Sequence, residues 1–565
     1  MHVLKYCLIG ASLACVTLGY SARAGAALGD LDTGFGKNGT LSLDTGCTLS
    51  ESDLIAVRMA RDAQGNLYLS DYCYAPVGNT NGNTAAEVVK LDANGNRVTN
   101  FGTNGVVTID TSGYDQAHDI AVDNLGNVYV VGTSLLFPNN QPTYSMTVWK
   151  LDSTSGAPVT SFGAAGFENI SVGNQTYGRT LLLDGHGYLY VAGEACPSSA
   201  CLFAVAKLDT NGNRVAAFNN GGSLMISTGT SVSYTGSVNA LALDAAGHLY
   251  LAGESNDTPD DTYDFAVADV DATSGALVTT FADSGVKVFD LGNNNDDLLN
   301  AMVLDGSGNL YLAGATAFTI SADEAQFMAA LVKLNASSGA LLPTFGSGGI
   351  KTYDITGDGS TATAITFDGS GHLYFAGSQF DASNQTSNFF VTKVDTNGNP
   401  TAGFGTNGST MVPINGVDQA TTVVLDGNGH AYLAGGSAID NGTSVTQRPY
   451  LAARVFTATG VTTTSLTSSL NPAKAGQTVT FTATVSSSAG TPTGKVTFND
   501  GSTVVCANAA LTSGHASCST ATLAAGAATH AISASYSGDG NNLGSISTVL
   551  QQSVLGDEVF KSGFE

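Results

Sequence analysis

Two acidic stretches contain the residues of this sequence that are best suited to bind a cation. The first holds Asp257, Asp260 and Asp261, and the second holds Asp296 and Asp297. Carboxylate oxygens are the ligands that calcium prefers in proteins. Carboxylates clustered in this way predict a calcium site or a surface for a cationic partner, although a solvated acidic loop is the simpler interpretation. We therefore predict no cofactor, with calcium as the one alternative.

The histidines and the Asp-x-Asn-Gly-Asn turns do not point to a metal. His248, His372 and His430 each follow a turn glycine in separate repeats of the chain, whereas metal ligands must approach one ion to about 2 Å. We assign them to the turns. Each turn of the second kind carries one carboxylate and no glutamate, so we expect hairpin turns and not calcium loops. These turns begin at Asp92, Asp209 and Asp395.

Catalytic motifs are missing from the sequence. It lacks the HExxH, GxSxG, Walker and GxGxxG patterns that mark common hydrolytic and nucleotide-binding sites. A tyrosine recurs at one position of the repeats described below, and we expect it to pack between strands and not to stack on a ligand. The tyrosines are Tyr68, Tyr129, Tyr190, Tyr250, Tyr311, Tyr374 and Tyr432. We therefore predict no catalytic residue.

A repeat that occurs seven times must position all of these residues. Each copy has an apolar run, a four-residue turn and a second apolar run, as in AMVLDGSGNLYLAG at residues 301–314. The turn aspartate accepts a backbone hydrogen bond, and the glycine three residues later takes the left-handed conformation that a tight hairpin requires. We number the repeats one to seven by their turn aspartates, which are Asp62, Asp123, Asp184, Asp244, Asp305, Asp368 and Asp426. Short runs bounded in this way predict strands.

A second pattern follows the first in six of the repeats and predicts two more strands. It reads FAVAKLDTNGNRVAAFNNGG at residues 203–222. Repeats of four antiparallel strands predict a β-propeller, here with seven blades. One blade cannot bury both of its faces, but blades stacked in a ring can. The loops between second and third strands, and those between blades, vary and share one face, where function is expected.

The two ends of the repeat region predict how the ring closes. Repeat seven lacks its last strand and the Phe-Gly turn, and a matching segment, LDTGFGKNG, stands at residues 31–39. We therefore predict that the N-terminal segment supplies the final strand of the last blade.

Composition and charge limit the partners. The chain of 565 residues has 69 glycines and only 12% charged residues, which suits tightly turned β structure. Its formal net charge is −26. We expect no nucleic acid or anionic membrane partner, because phosphate contact needs clusters of lysine and arginine.

The N-terminal residues predict export. Residues 1–24 have the basic start, the apolar stretch and the small-residue cleavage site of a signal peptide. No other apolar run is long enough to span a membrane. We expect a secreted, cell-surface or outer-envelope protein of a Gram-negative-type bacterium.

The cysteines that remain after cleavage favour disulfides, because their number is even and the chain is predicted to be exported. They are Cys47, Cys73, Cys196, Cys201, Cys506 and Cys518. We expect Cys196 to pair with Cys201, although these two could instead form half of a metal site. Cys506 and Cys518 flank a predicted hairpin and form a second expected pair. A pairing of Cys47 with Cys73 is expected only because these two cysteines remain.

The repeats resemble a known family. They are similar to the delta-60 repeat of exported bacterial β-propellers. The similarity lies in an Asp-x-x-Gly turn, a strand ending in glycine, a segment like FAVAKLD and a closing Phe-Gly-x-x-Gly. The resemblance covers roughly residues 29–458, with departures at Phe218-Asn219 and Phe281-Ala282. It implies a fold and an exported setting, but no reaction.

The C-terminal part has a different composition, rich in Thr, Ser and Ala. Its alternation of apolar and polar residues, with frequent turn signals, predicts a β-sandwich. GKVTFND at residues 494–500 and YSGD at residues 536–539 resemble the bacterial Ig-like domain, which implies a spacer or adhesive module. The last residues resemble a short tail of exported proteobacterial proteins, which is either a recognition peptide or a disordered end.

We thus expect an all-β protein made of a signal peptide (1–24), a seven-bladed propeller (25–458), an Ig-like sandwich (459–554) and a tail (555–565). The expected function is non-enzymatic binding by a monomer, in which the propeller loops recognise an envelope or extracellular polymer or protein. The alternative is a lyase or hydrolase that acts on a polymer in the propeller funnel, because a fold alone does not fix function.

Overall fold

The computed structural model consists of strands and turns. It describes residues 27–45, 57–74, 84–111, 113–137, 141–198, 200–229, 235–256, 262–292, 295–321, 324–355, 358–381, 383, 386–414, 416–440, 445–447, 449–458, 460, 462–487, 491–501, 503–525, 529–539 and 542–556. Within these ranges there is no helix, and hence none that could cross a membrane. The all-β class is confirmed. The predicted signal peptide and the last nine residues of the tail lie outside the described residues.

The repeat region contains strands β1 to β29. They are β1 (Thr40–Leu43), β2 (Arg58–Arg61), β3 (Leu67–Tyr74), β4 (Thr84–Leu91), β5 (Val106–Ile109), β6 (Tyr114–Val122), β7 (Asn127–Leu136), β8 (Thr143–Asp152), β9 (Phe167–Ile170), β10 (Gln175–Leu183), β11 (Tyr188–Cys196), β12 (Leu202–Asp209), β13 (Ser223–Ile226), β14 (Gly236–Leu243), β15 (His248–Ser255), β16 (Asp264–Asp271), β17 (Val286–Phe289), β18 (Asp297–Leu304), β19 (Asn309–Ser321), β20 (Glu324–Asn335), β21 (Ile350–Tyr353), β22 (Ser360–Phe367), β23 (His372–Asp381), β24 (Thr386–Asp395), β25 (Ser409–Val412), β26 (Val417–Leu425), β27 (His430–Asp440), β28 (Val445–Gln447) and β29 (Tyr450–Phe456).

Repeats one to five each form a four-stranded antiparallel sheet that resembles a propeller blade. The strand orders are β2-β3-β4-β5, β6-β7-β8-β9, β10-β11-β12-β13, β14-β15-β16-β17 and β18-β19-β20-β21. Repeat six repeats the pattern with β22 to β25. A parallel bridge between Ser387 and Val417 joins it to β26, β27, β29 and β1 in a larger sheet.

The turn aspartate holds each first hairpin as the sequence predicts. In repeat five, Asp305 Oδ1 accepts the backbone N–H groups of Ser307 and Asn309 at 2.8 and 2.9 Å, and Oδ2 accepts Asn309 Nδ2 at 2.7 Å. Gly308 has a φ of 77°, which a residue with a side chain rarely adopts. The histidines act in the same way in repeats six and seven, where Nδ1 of His372 and of His430 contacts its own turn aspartate at 3.0 and 2.8 Å.

Tyrosine and phenylalanine rings fill the layers between neighbouring sheets. Tyr68 packs edge-on against Phe101 at 5.8 Å, in one buried cluster with Trp149 of the next sheet. The other repeats show the same pair, and the phenylalanines of all seven pairs are fully buried. The other pairs are Phe35–Tyr432, Tyr129–Phe162, Tyr190–Phe218, Tyr250–Phe281, Tyr311–Phe345 and Tyr374–Phe404. The predicted packing role of the tyrosines is confirmed.

A cation on the third strand ties most repeats to their neighbours. Lys90 lies over the ring of Tyr68 and donates through Nζ to the Ser153 carbonyl of the next repeat at 2.6 Å. Lys150, Lys207 and Lys333 make the equivalent bonds to Thr210, Ala272 and Thr396. Repeat four differs, since Asp269 stands at this position opposite Tyr250 and contacts His248 Nδ1 at 3.0 Å. A turn role was therefore wrong for the His248 ring alone.

The N-terminal segment lies against repeats seven and one. Strand β1 pairs antiparallel with β29, and Thr40 is opposite Ala453. Arg454 Nη2 forms an ion pair with Asp32 at 2.6 Å, and its Nη1 donates to the Ala93 carbonyl of repeat one. The side chain of this arginine thus takes the place of the third-strand lysine of the other repeats.

The C-terminal domain has two main sheets around one core. Its strands are β30 (Thr462–Ser468), β31 (Ala473–Lys474), β32 (Val479–Ser487), β33 (Lys495–Asp500), β34 (Thr503–Ala510), β35 (His515–Thr520), β36 (His530–Tyr536), β37 (Ser545–Ile546), β38 (Leu550–Gln552) and β39 (Val554–Leu555). One sheet has the order β30-β32-β35, the other has the order β34-β33-β36-β37 with β38 beside β36, and β31 pairs with β39. The domain also touches repeat seven, because the Gly544 N–H faces the Asn428 carbonyl at 3.5 Å.

Candidate functional site

The first strand of each repeat from two to seven contains a β-bulge at one fixed position. In every case the strand register skips the residue that precedes the turn aspartate by five positions. The skipped residues are His118, Arg179, Asn239, Asn300, Thr363 and Thr421. Bulges redirect side chains and are common next to functional sites. The residue type at this bulge position differs between repeats.

In repeats four to seven the bulge residue ties one first strand to the next. Asn239 Nδ2 donates to the Leu299 carbonyl at 2.8 Å, and Asn300 Nδ2 donates to the Ala362 carbonyl at 3.0 Å. The hydroxyls of Thr363 and Thr421 donate in the same manner to the carbonyls of Ala420 and Val57. A neutral polar side chain thus serves a structural purpose at this position.

Repeats one to three carry ionisable residues at or directly after this position. Arg179 Nη2 forms an ion pair with Glu194 Oε1 at 3.1 Å. Asp119 takes over the bond between neighbouring first strands, because its Oδ2 accepts the Leu181 N–H at 3.0 Å. Arg58 and His118 complete this group. We refer to Arg58, His118, Asp119, Arg179 and Glu194 as the arginine–glutamate cluster.

Close packing and the two guanidinium charges control the protonation of the cluster. Burial, helped by the charges of Arg179 and Arg58, lowers the pKa of His118 to about 3. Burial also lowers the pKa of Arg58, and the charge of Arg179 lowers it further, against the opposing effect of Asp119. His118 is therefore a neutral imidazole at physiological pH, able to donate one hydrogen bond and accept another.

A second carboxyl occupies the position of Glu194 in the following repeat. Glu254 pairs with Phe265, as Glu194 pairs with Phe203 in the preceding sheet. Burial raises the pKa of Glu254 to about 7, against the effect of Arg179 and with that of Glu194. This carboxyl therefore retains its proton to higher pH than a free glutamate, in the electrostatic range of the Glu194 carboxylate that Arg179 holds.

Aromatic side chains lie beside the cluster, at the strand ends that carry the variable loops. The rings of Tyr144 and Tyr177 are 4.9 Å apart, and Tyr177 is directly opposite Glu194 in the sheet. Tyr114 and Phe137 lie near the same ends and are 37% and 53% exposed. We call these four residues the aromatic patch. Aromatic walls with a few fixed polar groups are typical of ligand sites.

The predicted acidic site is only partly described. Asp257, Asp260 and Asp261 lie outside the described residues. Asp296 accepts the N–H of Tyr263 at 3.1 Å, whereas Asp297 is fully buried. Burial raises the pKa of Asp297 to about 6, and the charges of neighbouring carboxylates add to this shift. Calcium binding by the predicted residues therefore stays a prediction.

Two of the three expected disulfides are present. Cys196 and Cys201 are bonded, as are Cys506 and Cys518, with S–S distances of 1.98 Å. The alternative of half a metal site at the first pair is thereby excluded. Cys73 is also disulfide-bonded, but its expected partner, Cys47, lies outside the described residues.

The arginine–glutamate cluster was not predicted from the sequence, although a signal for it exists there. When the repeats are aligned on their turn aspartates, the bulge position reads His and Arg in repeats two and three and Asn or Thr in repeats four to seven. The position ten residues after the aspartate reads Glu in repeats three and four. Departures from a repeat pattern mark sites that the fold itself does not require.

Comparison with known families supports the two-part organisation. Residues 466–555 match the bacterial Ig-like domain (group 3), and residues 102–135 match a β-propeller repeat. The resemblance that the sequence predicts is thus confirmed at the level of these two modules. No curated protein matches the chain.

Solved structures match at low identity. A protein of unknown function from Dyadobacter fermentans is 8% identical, with 74% of this chain and 99% of that chain covered and a TM-score of 0.36. An α-L-arabinanase of Penicillium chrysogenum, complexed with arabinobiose, is 10% identical, with 73% and 98% covered and a TM-score of 0.36. The sucrose-6-phosphate hydrolase of Lactobacillus gasseri is 10% identical, with 71% and 90% covered and a TM-score of 0.28.

These matches correct one prediction. From the missing catalytic motifs we predicted that the chain is not an enzyme, yet two of the matching structures are enzymes. That conclusion was wrong, because it treated missing motifs as evidence against catalysis. At these identities and TM-scores the likeness assigns no reaction to this chain.

Proposed function

We propose that this is an exported protein that recognises a polysaccharide. In this proposal the repeat region is a closed propeller of seven blades, the arginine–glutamate cluster lies in its central channel, and the Ig-like domain is a spacer. The propeller repeat and the Ig-like domain fit a binding or spacer role. The disulfides are compatible with export.

Contacts between repeats seven and one support the closed ring. Strand β26 contacts β2, as the other first strands contact their successors. The Thr421 hydroxyl donates to the Val57 carbonyl, and Tyr450 Oη donates to Glu87 Oε2 at 3.0 Å. The Thr421 bond occupies the place that the bulge residue has between other neighbours, and the Tyr450 bond joins the third strands of repeats seven and one. Both bonds favour a ring and not an open array.

One observation carries the choice of ligand, namely that an Arg–Glu ion pair adjoins the aromatic patch. A sugar hydroxyl both donates and accepts hydrogen bonds, so it is matched by a guanidinium and a carboxylate held side by side. An aromatic face packs against the apolar face of a sugar ring. Arg179, Glu194 and Tyr177 supply these three elements on adjacent strands.

Capture on immobilised polysaccharides tests this proposal. The full chain would be passed over a panel of neutral and acidic polysaccharides, with envelope proteins as separate members. We expect saturable retention on at least one polysaccharide, and loss of that retention in Arg179→Gln. An Arg214→Gln variant is the matched control, because the guanidinium of this half-buried arginine donates to the Ser171 carbonyl and does not belong to the arginine–glutamate cluster. Retention on no polysaccharide, or on proteins alone, would refute the proposal.

A second function, cleavage of the bound polymer, is favoured by the pair Glu194 and Glu254. A carboxylic acid next to a carboxylate is the arrangement that glycoside hydrolysis uses for proton transfer and charge stabilisation. Release of reducing ends by the wild type, but not by Glu254→Gln, would establish it. Binding without release would leave recognition as the function.

A further inference from the structure

A lysine or arginine on the third strand bonds most repeats to the repeat that follows. Its side-chain nitrogen donates to the backbone carbonyl of a residue at one fixed position in that next repeat. The acceptors are Ser153, Thr210, Ala272, Thr396 and Ala93. Because lysine and arginine side chains stay charged in acidic and in neutral solution, these bonds are insensitive to pH in that range.

The interface between repeats four and five lacks this bond. Asp269 occupies the position of the lysine, opposite Tyr250 in the strand pairing. The corresponding acceptor in repeat five is the carbonyl of Ala336, a residue that is 3% exposed. No residue that the structure describes donates a hydrogen bond to this carbonyl, and the Tyr250 hydroxyl donates to Asp244 of its own repeat at 3.3 Å. A buried acceptor that is satisfied at other interfaces is thus left without a donor, which costs free energy.

A histidine and the aspartate take the place of the missing cation. His248 Nδ1 lies 3.0 Å from Asp269 Oδ2 and 3.2 Å from Oδ1. The side chain of Asp269 is fully buried, whereas that of His248 is 33% exposed. The imidazole is stacked on the ring of Tyr250, with 6.1 Å between the ring centroids. The pair therefore lies beside the ring that the lysines cover in other repeats, but it consists of groups that gain and lose protons in mildly acidic solution.

The surroundings of Asp269 favour its neutral form. Burial raises the pKa of Asp269 to about 6, the charge and hydrogen bond of His248 oppose this shift, and the carboxylates of Asp244 and Asp271 add to it. The described residues that repeat five contributes to the buried cluster around Tyr250 are apolar, so they supply no opposite charge. Within the described part of the chain, an ionised Asp269 thus depends on His248 for its counter-charge.

We propose that the pair of His248 and Asp269 makes the interface between repeats four and five a pH-sensitive joint, which stays closed in mildly acidic solution and opens more often as the pH rises. Deprotonation leaves a buried carboxylate beside a neutral imidazole, where other repeats hold a cation. A group whose pKa is raised by folding stabilises the folded state below that pKa, and this stabilisation is lost as the pH rises through it. The observations behind the joint are independent of polysaccharide recognition, and either proposal can fail alone.

Hydrogen exchange of the full chain, followed by mass spectrometry at about pH 5 and about pH 7.5, tests the joint. Dividing each exchange rate by the intrinsic rate at the same pH gives the frequency of opening. For peptides from β16 and β18 we expect this frequency to rise about tenfold between the two pH values, because the pKa of Asp269 falls from about 6 to about 4 when the joint opens. Peptides from β12 and β14 are the internal control, since Lys207 donates to the Ala272 carbonyl at that interface. Their opening should not rise in this way.

Two substitutions of Asp269 complete the test. Asp269→Asn keeps the size of the side chain and removes its charge, so the rise in opening between the two pH values should disappear. Asp269→Lys supplies the residue of the other repeats, with the Ala336 carbonyl as its acceptor, and should open less often than the wild type at the higher pH. The proposal would be overturned if the wild type shows no rise at β16 and β18, or an equal rise at β12 and β14. It would also be overturned if Asp269→Asn keeps the rise or if Asp269→Lys opens as often as the wild type.

Discussion

Arg454 connects the N-terminal segment to two repeats, and replacing it with methionine tests the closed ring. The change keeps a long apolar side chain and removes the charge. The ion pair with Asp32 and the bond to the Ala93 carbonyl are lost, as are the stacking contacts with Phe35 and Tyr432. The Asp32 carboxylate then remains largely buried without its partner.

The expected loss of unfolding free energy in Arg454→Met is at the low end of the range for broken buried ion pairs. Such breaks cost about 3–5 kcal/mol. Asp32 keeps 13% exposure and a neighbouring His430 at 3.4 Å, so we expect a loss of about 3 kcal/mol. Adding Asp32→Asn to Arg454→Met removes the uncompensated charge, and should restore about 1 kcal/mol or more.

Urea unfolding monitored by tryptophan fluorescence measures this loss in the repeat region alone. Trp149 is the single tryptophan of the chain and is buried in β8, so it does not report on the Ig-like domain. A ring that unfolds as a unit transmits the loss from repeat seven to this distant probe. An unchanged Trp149 midpoint in Arg454→Met, or strictly additive effects of the two substitutions, would refute the reasoning.

Three further predictions concern stability. Deleting Gly29–Asp44 removes β1 and the buried Phe-Gly turn, and should cost about 5 kcal/mol or more; an unchanged melting temperature would contradict this. In Gly193→Ala the new Cβ would lie 2.1 Å from a backbone oxygen, so we expect the free energy of unfolding to fall by about 2 kcal/mol. In the control Gly221→Ala nothing lies within 4 Å of the new Cβ, and the fall should be less than about 0.5 kcal/mol. Equal urea midpoints for the two variants would disprove the contact. The third prediction is a pH dependence of the Ig-like domain. The Ala524 carbonyl and the Asp500 carboxylate raise the pKa of His530. The domain should therefore be most stable below about pH 6.5 and lose stability as pH rises through the folded pKa. The loss should be smaller in Asp500→Asn when melting is followed by circular dichroism, and an equal loss in both proteins would contradict the role of Asp500.

The repeat pattern was sufficient to predict most of the fold. Turn aspartates such as Asp305 and the glycines that follow them act locally, so each hairpin can be read from a few adjacent residues. The matching N-terminal segment could be recognised because it supplies a piece that repeat seven lacks. Two departures from the Phe-Gly pair are accommodated by the backbone, since Asn219 and Ala282 take left-handed conformations with φ of 47° and 41°.

The candidate sites could not be predicted in the same way. Arg179 meets Glu194 only because the strands pair across a hairpin, and the contribution of Arg58 depends on packing between repeats. Proximity along the chain also does not decide which carboxylates meet. Asp296 and Asp297 are adjacent in sequence, but Asp296 precedes β18 and accepts the Tyr263 N–H, whereas Asp297 begins the strand and lies with Asp264 and Asp290.

The affinity of Arg179→Gln for a captured polysaccharide tests the central claim most directly. An oligosaccharide of that polymer would be titrated into the wild type, Arg179→Gln and Arg214→Gln under identical conditions. We expect at least about tenfold weaker binding for Arg179→Gln and unchanged binding for Arg214→Gln. Equal affinities for all three proteins would place the binding surface elsewhere and contradict the assignment of the arginine–glutamate cluster.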